Sequence, residues 1–148
     1  AGVLQQALDA EWAQGHEIGG SWGILLCDSF KGLPLSSSPN DSDWWWEQRQ
    51  LKVGEAEVRQ VFQAHFPDVP IREPGEAVGT EWMHAHFFPG YVRESMPTVT
   101  STLGPAGSPA GDIAILRVDL DMYEGYLDTL RALAPRVPPG GFIVADDY

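Results

Sequence analysis

Apolar positions in this chain fall into short runs, separated by longer stretches rich in Gly, Pro, Ser and Asp. Over Val3–Gln14, Val3, Leu4, Ala7, Leu8 and Trp12 lie near one side at helical spacing, and the glycines from Gly15 to Gly20 end that helix. Trp22–Cys27 (WGILLC) is an almost unbroken apolar run ending at Asp28, the pattern of a strand buried on both faces. Lys31–Asp43 has loop composition, and three consecutive tryptophans, Trp44–Trp46, follow it. Gly54–Phe66 predicts a second helix with Val58, Val61, Phe62 and Phe66 as its apolar stripe. Pro67–Gly79 reads as a loop, Trp82–Phe88 as a strand closed by Pro89–Gly90, and Thr98–Gly111 as a flexible connection. Ile113–Val118 is the next strand, interrupted only by Arg117. Met122–Leu133 is a helix with Tyr123, Tyr126, Leu127, Leu130 and Leu133 on one side. A Pro/Gly turn over Pro135–Gly141 leads into a last strand, Phe142–Ala145, which runs into Asp146, Asp147 and Tyr148.

Short apolar strands alternating with helices predict an α/β fold: a parallel sheet with helices packed on its faces. Ligands of such sheets gather beyond the C-terminal ends of the strands. Asp28, Gly90, Asp119 and the pair Asp146–Asp147 all fall at such ends.

Composition narrows the function classes. The 148 residues fit one domain, and 43% hydrophobic with 20% charged content is ordinary for a chain with a real core. A net charge of −12 with nine Lys and Arg argues against nucleic acid, whose binding depends on cationic neutralisation of phosphates. No apolar run approaches the roughly 18 residues of a membrane span, and Asp9 and Glu11 interrupt any secretory signal. The single cysteine, Cys27, excludes an internal disulfide and fits a reducing compartment, so the chain reads as cytoplasmic.

The chemistry centres on the carboxylates. Two neighbouring strands ending in Asp119/Asp121 and Asp146/Asp147 bring like charges close, which is costly unless compensated. One or two carboxylates completed by water and substrate oxygens are the usual cradle of Mg²⁺. Solvated turns and helix caps account for the spacing equally well, and Asp121 suits an N-cap for the helix at Met122. Asp28 fits a ribose-binding acid at a strand end or a turn aspartate, and Gly90 fits a close ligand approach or a simple turn. His84 and His86 share one strand face by period two but have no third matching ligand, which favours half-buried strand residues over zinc. Cys27, in an apolar run, reads as a small core residue.

Three blocks together resemble one family. Ile115–Tyr148 (ILRVDLDMYEGYLDTLRALAPRVPPGGFIVADDY) is similar to the end of the catalytic core of macrocin O-methyltransferase-like (TylF-type) enzymes. Asp28–Pro34 (DSFKGLP) resembles that family's D-[ST]-F-E-G-L-P, and Gly90–Pro97 (GYVRESMP) its G-x-F-x-x-T-L-P. The resemblance implies a Rossmann-like class I methyltransferase that uses S-adenosylmethionine and Mg²⁺ on a hydroxyl, typically of a sugar, in a small natural product. It implies Asp119, Asp146 and Asp147 as metal ligands, with Asp119 also the general base. It implies Asp28 on the cofactor ribose, Ser29 and Phe30 flanking the adenosine, and Gly90 at the cofactor. Leu120 and Gly125–Tyr126 depart from the family pattern, which has glycine and Ser-Thr there. The family's first strand with its glycine-bearing loop, and strands beyond the DDY block, are not in this segment. Residues 1–148 therefore read as one partial methyltransferase domain, truncated at both ends. A catalytically inactive binding module on the same fold is the alternative, as is a different enzyme on a doubly wound sheet. Trp44–Trp46 suit a lid over a sugar acceptor or the contact of a homo-oligomer.

Overall fold

A computed structural model describes residues 22–35, 38–41, 52–76 and 82–146. The helix expected at Val3–Gln14, Trp44–Trp46, Asp147 and Tyr148 lie outside the described residues. The elements run β1 (Trp22–Asp28), α1 (Glu55–His65), β2 (Ile71–Arg72), β3 (Met83–Pro89), α2 (Val92–Thr102), β4 (Ile115–Val118), α3 (Tyr123–Leu133), a 3₁₀ turn at Ala134–Arg136, and β5 (Phe142–Ala145). The strands form two sheets, ordered β1-β3-β2 and β4-β5. Every pairing among the described residues is parallel.

Alternation along β3 serves two layers. Phe88 faces one side, where it joins Val99 of α2, Leu116 and Val118 of β4, and Tyr126 and Leu133 of α3 in the main core. That cluster ties β3 of one sheet to β4 of the other. Phe87 faces the opposite side, fully buried, against Phe30, Phe62 and the Arg59 guanidinium, which lies 4.5 Å from its ring centre. Arg59 is held there by Glu55 at 2.7 Å and Glu73 at 3.1 Å. Within β4, Leu116 and Val118 are buried while Ile115 and Arg117 are exposed, which sends Arg117 to the face away from the core.

The helices at Gly54–Phe66 and Met122–Leu133 stand where periodicity puts them, with Gly54, Phe66 and Met122 as flanking caps. Four expectations are corrected. Part of the stretch read as a flexible connection, Thr98–Thr102, is the second half of α2. Glu94 secures the start of that helix by accepting the Tyr91 N–H at 3.2 Å, and buried Ser95 and Val99 hold it to the core. Pro97 and the run of Thr and Ser conceal it from propensity. The loop after Phe66 contains β2, a two-residue strand paired to β3. β1 is half-buried at its centre and exposed at both ends, because among the described residues it has one sheet neighbour, β3. Asp121 does not cap α3: the N-cap is Met122, and the Tyr123 N–H donates instead to Asp41 Oδ1 at 2.8 Å.

Candidate functional site

The parallel register of β1 and β3 brings their C-terminal ends together, and the Gly90 N–H donates to the Asp28 carbonyl at 2.9 Å. Gly90 is buried at φ 140°, a conformation that side chains rarely adopt, so glycine is needed at this crossing. Beyond β1 the chain turns sharply. Phe30 N–H donates to Asp28 Oδ1 at 2.6 Å, Lys31 N–H to Ser29 Oγ at 3.1 Å, and Ser29 Oγ–H to the Gly32 carbonyl at 2.9 Å. Phe30 pays for this turn with a left-handed backbone, φ 54°, and in return its ring stacks on Phe87 at 6.2 Å.

A cavity of about 320 Å³ opens at this turn, lined by Leu26, Cys27, Asp28, Phe30, Val53 and Val58. Apolar walls with a single carboxylate at the rim are the make-up of a site for a ligand with an apolar body and hydroxyl groups. Of the residues expected at the cofactor, Asp28 and Phe30 line the cavity, Ser29 shapes the turn beneath it, and Gly90 is bonded to the backbone of Asp28. Asp28 Oδ1 is occupied by Phe30, and a carboxylate retains further acceptor positions. The turn and ribose readings of Asp28 are thus compatible. Cys27 is not the core residue expected: its side chain is exposed toward the cavity, although desolvation by the neighbouring wall pushes its thiol up to about 11.

The second group of expected residues assembles on β4 and β5. Val118 pairs with Ala145, and Asp146 N–H donates to the Val118 carbonyl at 3.0 Å, so Asp119 and Asp146 emerge side by side. Arg117 lies two residues before Asp119, on the same face of the strand. Its Nη2 sits 2.8 Å from Asp119 Oδ2 and also bonds Asp146 Oδ2. One guanidinium nitrogen therefore joins both carboxylates, with all three side chains about half exposed. Two carboxylate oxygens converging on one cationic atom are hard donors of the kind that hold Mg²⁺, so the residues present fit that ion. Among the described residues no three His, Cys, Asp or Glu side chains group as a metal site; Asp147, the third expected ligand, lies outside them.

The remaining candidates fall away from both groups. Asp121 is exposed beside the start of α3. His84 and His86 are buried rather than half-buried, edge to face at 5.0 Å, and His84 packs on Gly23. Gly19–Gly23 also spells G-x-S-x-G, which was not singled out in the sequence; its Trp22 and Gly23 lie in a strand, whereas the nucleophile of an elbow leads into a helix. Two contributors were not anticipated. Asp41 anchors the loop after β1 to α3, a contact that no local pattern announces. Arg117 was read only as an interruption of its strand, yet its spacing to Asp119 carried the signal.

Comparison with known proteins decides the family. The model of the macrocin O-methyltransferase (TylF) family matches residues 15–148. The chain belongs to this family. Among curated relatives, mycinamicin III 3''-O-methyltransferase of Micromonospora griseorubida is 39% identical over 128 residues, covering 84% of this chain and 43% of the relative. An 8-demethyl-8-(2,3-dimethoxy-alpha-L-rhamnosyl)-tetracenomycin-C 4'-O-methyltransferase of Streptomyces olivaceus is 30% identical over 126 residues, covering 84% and 41%. The solved structure of the O-methyltransferase NovP matches with a TM-score of 0.53 and 25% identity, over 91% of this chain and 48% of that one. This TylF-family chain thus spans about two-fifths of the length of the curated relatives it matches.

Proposed function

We propose that the full-length protein is an S-adenosylmethionine-dependent, Mg²⁺-assisted O-methyltransferase acting on a hydroxyl, in the first instance a sugar hydroxyl, of a small natural product. The observation that carries this reading is the convergence of Asp119 and Asp146 on one cationic atom at the C-terminal edge of β4 and β5. It joins membership of a family in which the relatives matched are named as O-methyltransferases, one of them for a rhamnosyl tetracenomycin.

The roles follow from chemistry. S-adenosylmethionine supplies an electrophilic methyl group, and Mg²⁺ supplies the positive charge that lowers the pKa of a nearby hydroxyl. Asp119, Asp146 and Asp147 would hold the ion. Asp119 takes the acceptor's hydroxyl proton at a carboxylate oxygen, as general base. Asp28 offers its carboxylate to ribose hydroxyls, and Phe30 gives the cavity a flat apolar wall suited to a nucleobase. Ser29 holds the turn that presents both, and Gly90 ties it to β3. These residues act by orientation, which contributes much of the rate of such a displacement.

Titration calorimetry of the full-length protein with S-adenosylhomocysteine, with and without Mg²⁺, tests the reading. Saturable binding is expected, and absence of heat under both conditions refutes it.

A further inference from the structure

We infer that Arg117 is a built-in counter-ion of the acidic pair, which a divalent cation must displace in order to bind. The inference rests on the metal reading above and adds a control on that site from within the chain. Its basis is geometric. The atom that Asp119 Oδ2 and Asp146 Oδ2 share is Arg117 Nη2, so a cation held by those same oxygens competes for the same place. The position of Arg117 is imposed by the strand: it is the exposed residue of β4 two places before Asp119, opposite Val144 in register, so its side chain runs along the face from which both carboxylates project.

Exposure decides how firm the arrangement is. The side chains of Arg117, Asp119 and Asp146 are 59%, 47% and 46% exposed, and ion pairs so open to water are weak. A bound Mg²⁺ interacts far more strongly with paired carboxylates, so the guanidinium yields to it and swings toward solvent. Without metal, Arg117 relieves the repulsion between the two aspartates and keeps them aligned. The cost of that relief is affinity: every metal-binding event first breaks both Arg117 contacts.

The test measures Mn²⁺ binding to the full-length protein by electron paramagnetic resonance, without turnover, and repeats it with Mg²⁺ by calorimetry. Arg117→Gln is expected to tighten Mn²⁺ binding about three- to tenfold, the scale set by releasing two exposed ion pairs. It should also enlarge the rise in Tm that Mn²⁺ produces, because the metal-free variant lacks its counter-ion. Arg131→Gln, which removes the same formal charge from the end of α3, should leave affinity unchanged; an equal gain there would reduce the effect to net charge and overturn the inference. Unchanged or weaker Mn²⁺ binding by Arg117→Gln, alongside clear binding by the wild type, overturns the inference and leaves the metal reading intact. If neither protein binds Mn²⁺, both fail together.

Discussion

Replacing Phe87 with alanine removes a ring that is fully buried between β3 and α1. Three partners lose contact at once: Phe30 stacked at 6.2 Å, Phe62 edge-on at 6.0 Å, and Arg59 at 4.5 Å. Phe-to-Ala changes in cores cost about 3–5 kcal/mol. The aromatic contacts belong to the upper part of that range, since each contributes about 0.5–1.5 kcal/mol beyond area. Against this, α1 has no fully buried residue and can settle into part of the void. A loss of about 3–4 kcal/mol balances the two effects. In urea, with a slope of about 2 kcal/mol/M, the unfolding midpoint should fall by about 1.5–2 M. Phe87→Leu keeps most of the volume and should lose about 1–1.5 kcal/mol, within the range for large hydrophobic exchanges. Because Phe30 leans on Phe87 and lines the cavity, affinity for S-adenosylhomocysteine should weaken in the alanine variant at urea concentrations where it is still folded. A midpoint shift below about 0.4 M at unchanged slope would refute the layered packing on which this reasoning depends.

Three further outcomes are expected. Gly90→Ala should destabilise by about 1–3 kcal/mol and weaken S-adenosylhomocysteine binding in calorimetry. The cause is the backbone at φ 140° rather than crowding, since an added Cβ would meet its nearest atoms at an ordinary 3.5 Å. Asp41→Ala should cost about 0.5–2 kcal/mol in urea unfolding through loss of the α3 cap, whereas Asp41→Asn, an equally good cap, should cost a few tenths. Asp119→Asn should lower kcat by about 10²–10⁴-fold and weaken Mn²⁺ binding; unchanged turnover would remove it from the role of base.

What could be read from residues alone divides along physical lines. Strands that are nearly all apolar, such as WGILLC and FIVA, declare themselves because the runs are too short for a helix and are bounded by turn residues. α2 stayed hidden because Pro97 and the Thr and Ser after it are poor helix formers and its stability comes from burial of Val99 and from the Glu94 bond, both tertiary or terminal effects. The acidic strand ends were legible as a pair. Register was not, and register is what sets Asp119 beside Asp146. The capping of α3 was assigned to the nearest aspartate, Asp121, when the chain uses Asp41, 82 residues away in sequence. Local patterns rank neighbours in sequence, and this contact exists only because the loop after β1 passes over the start of α3.

The parallel pairing of β4 with β5 also has a kinetic side. Its strands are joined through α3 by one short crossover, whereas β1 must wait for α1 and β2 before it meets β3. Loop closure favours the nearer pair, so β4-α3-β5 is expected to gain protection first in pulsed hydrogen exchange during refolding, and β1 later. Arg117, Asp119 and Asp146 all belong to that early unit. In refolding the charged cluster is thus expected to be organised before the cavity at Asp28, and a divalent ion present then would meet its carboxylates on a still incompletely folded chain.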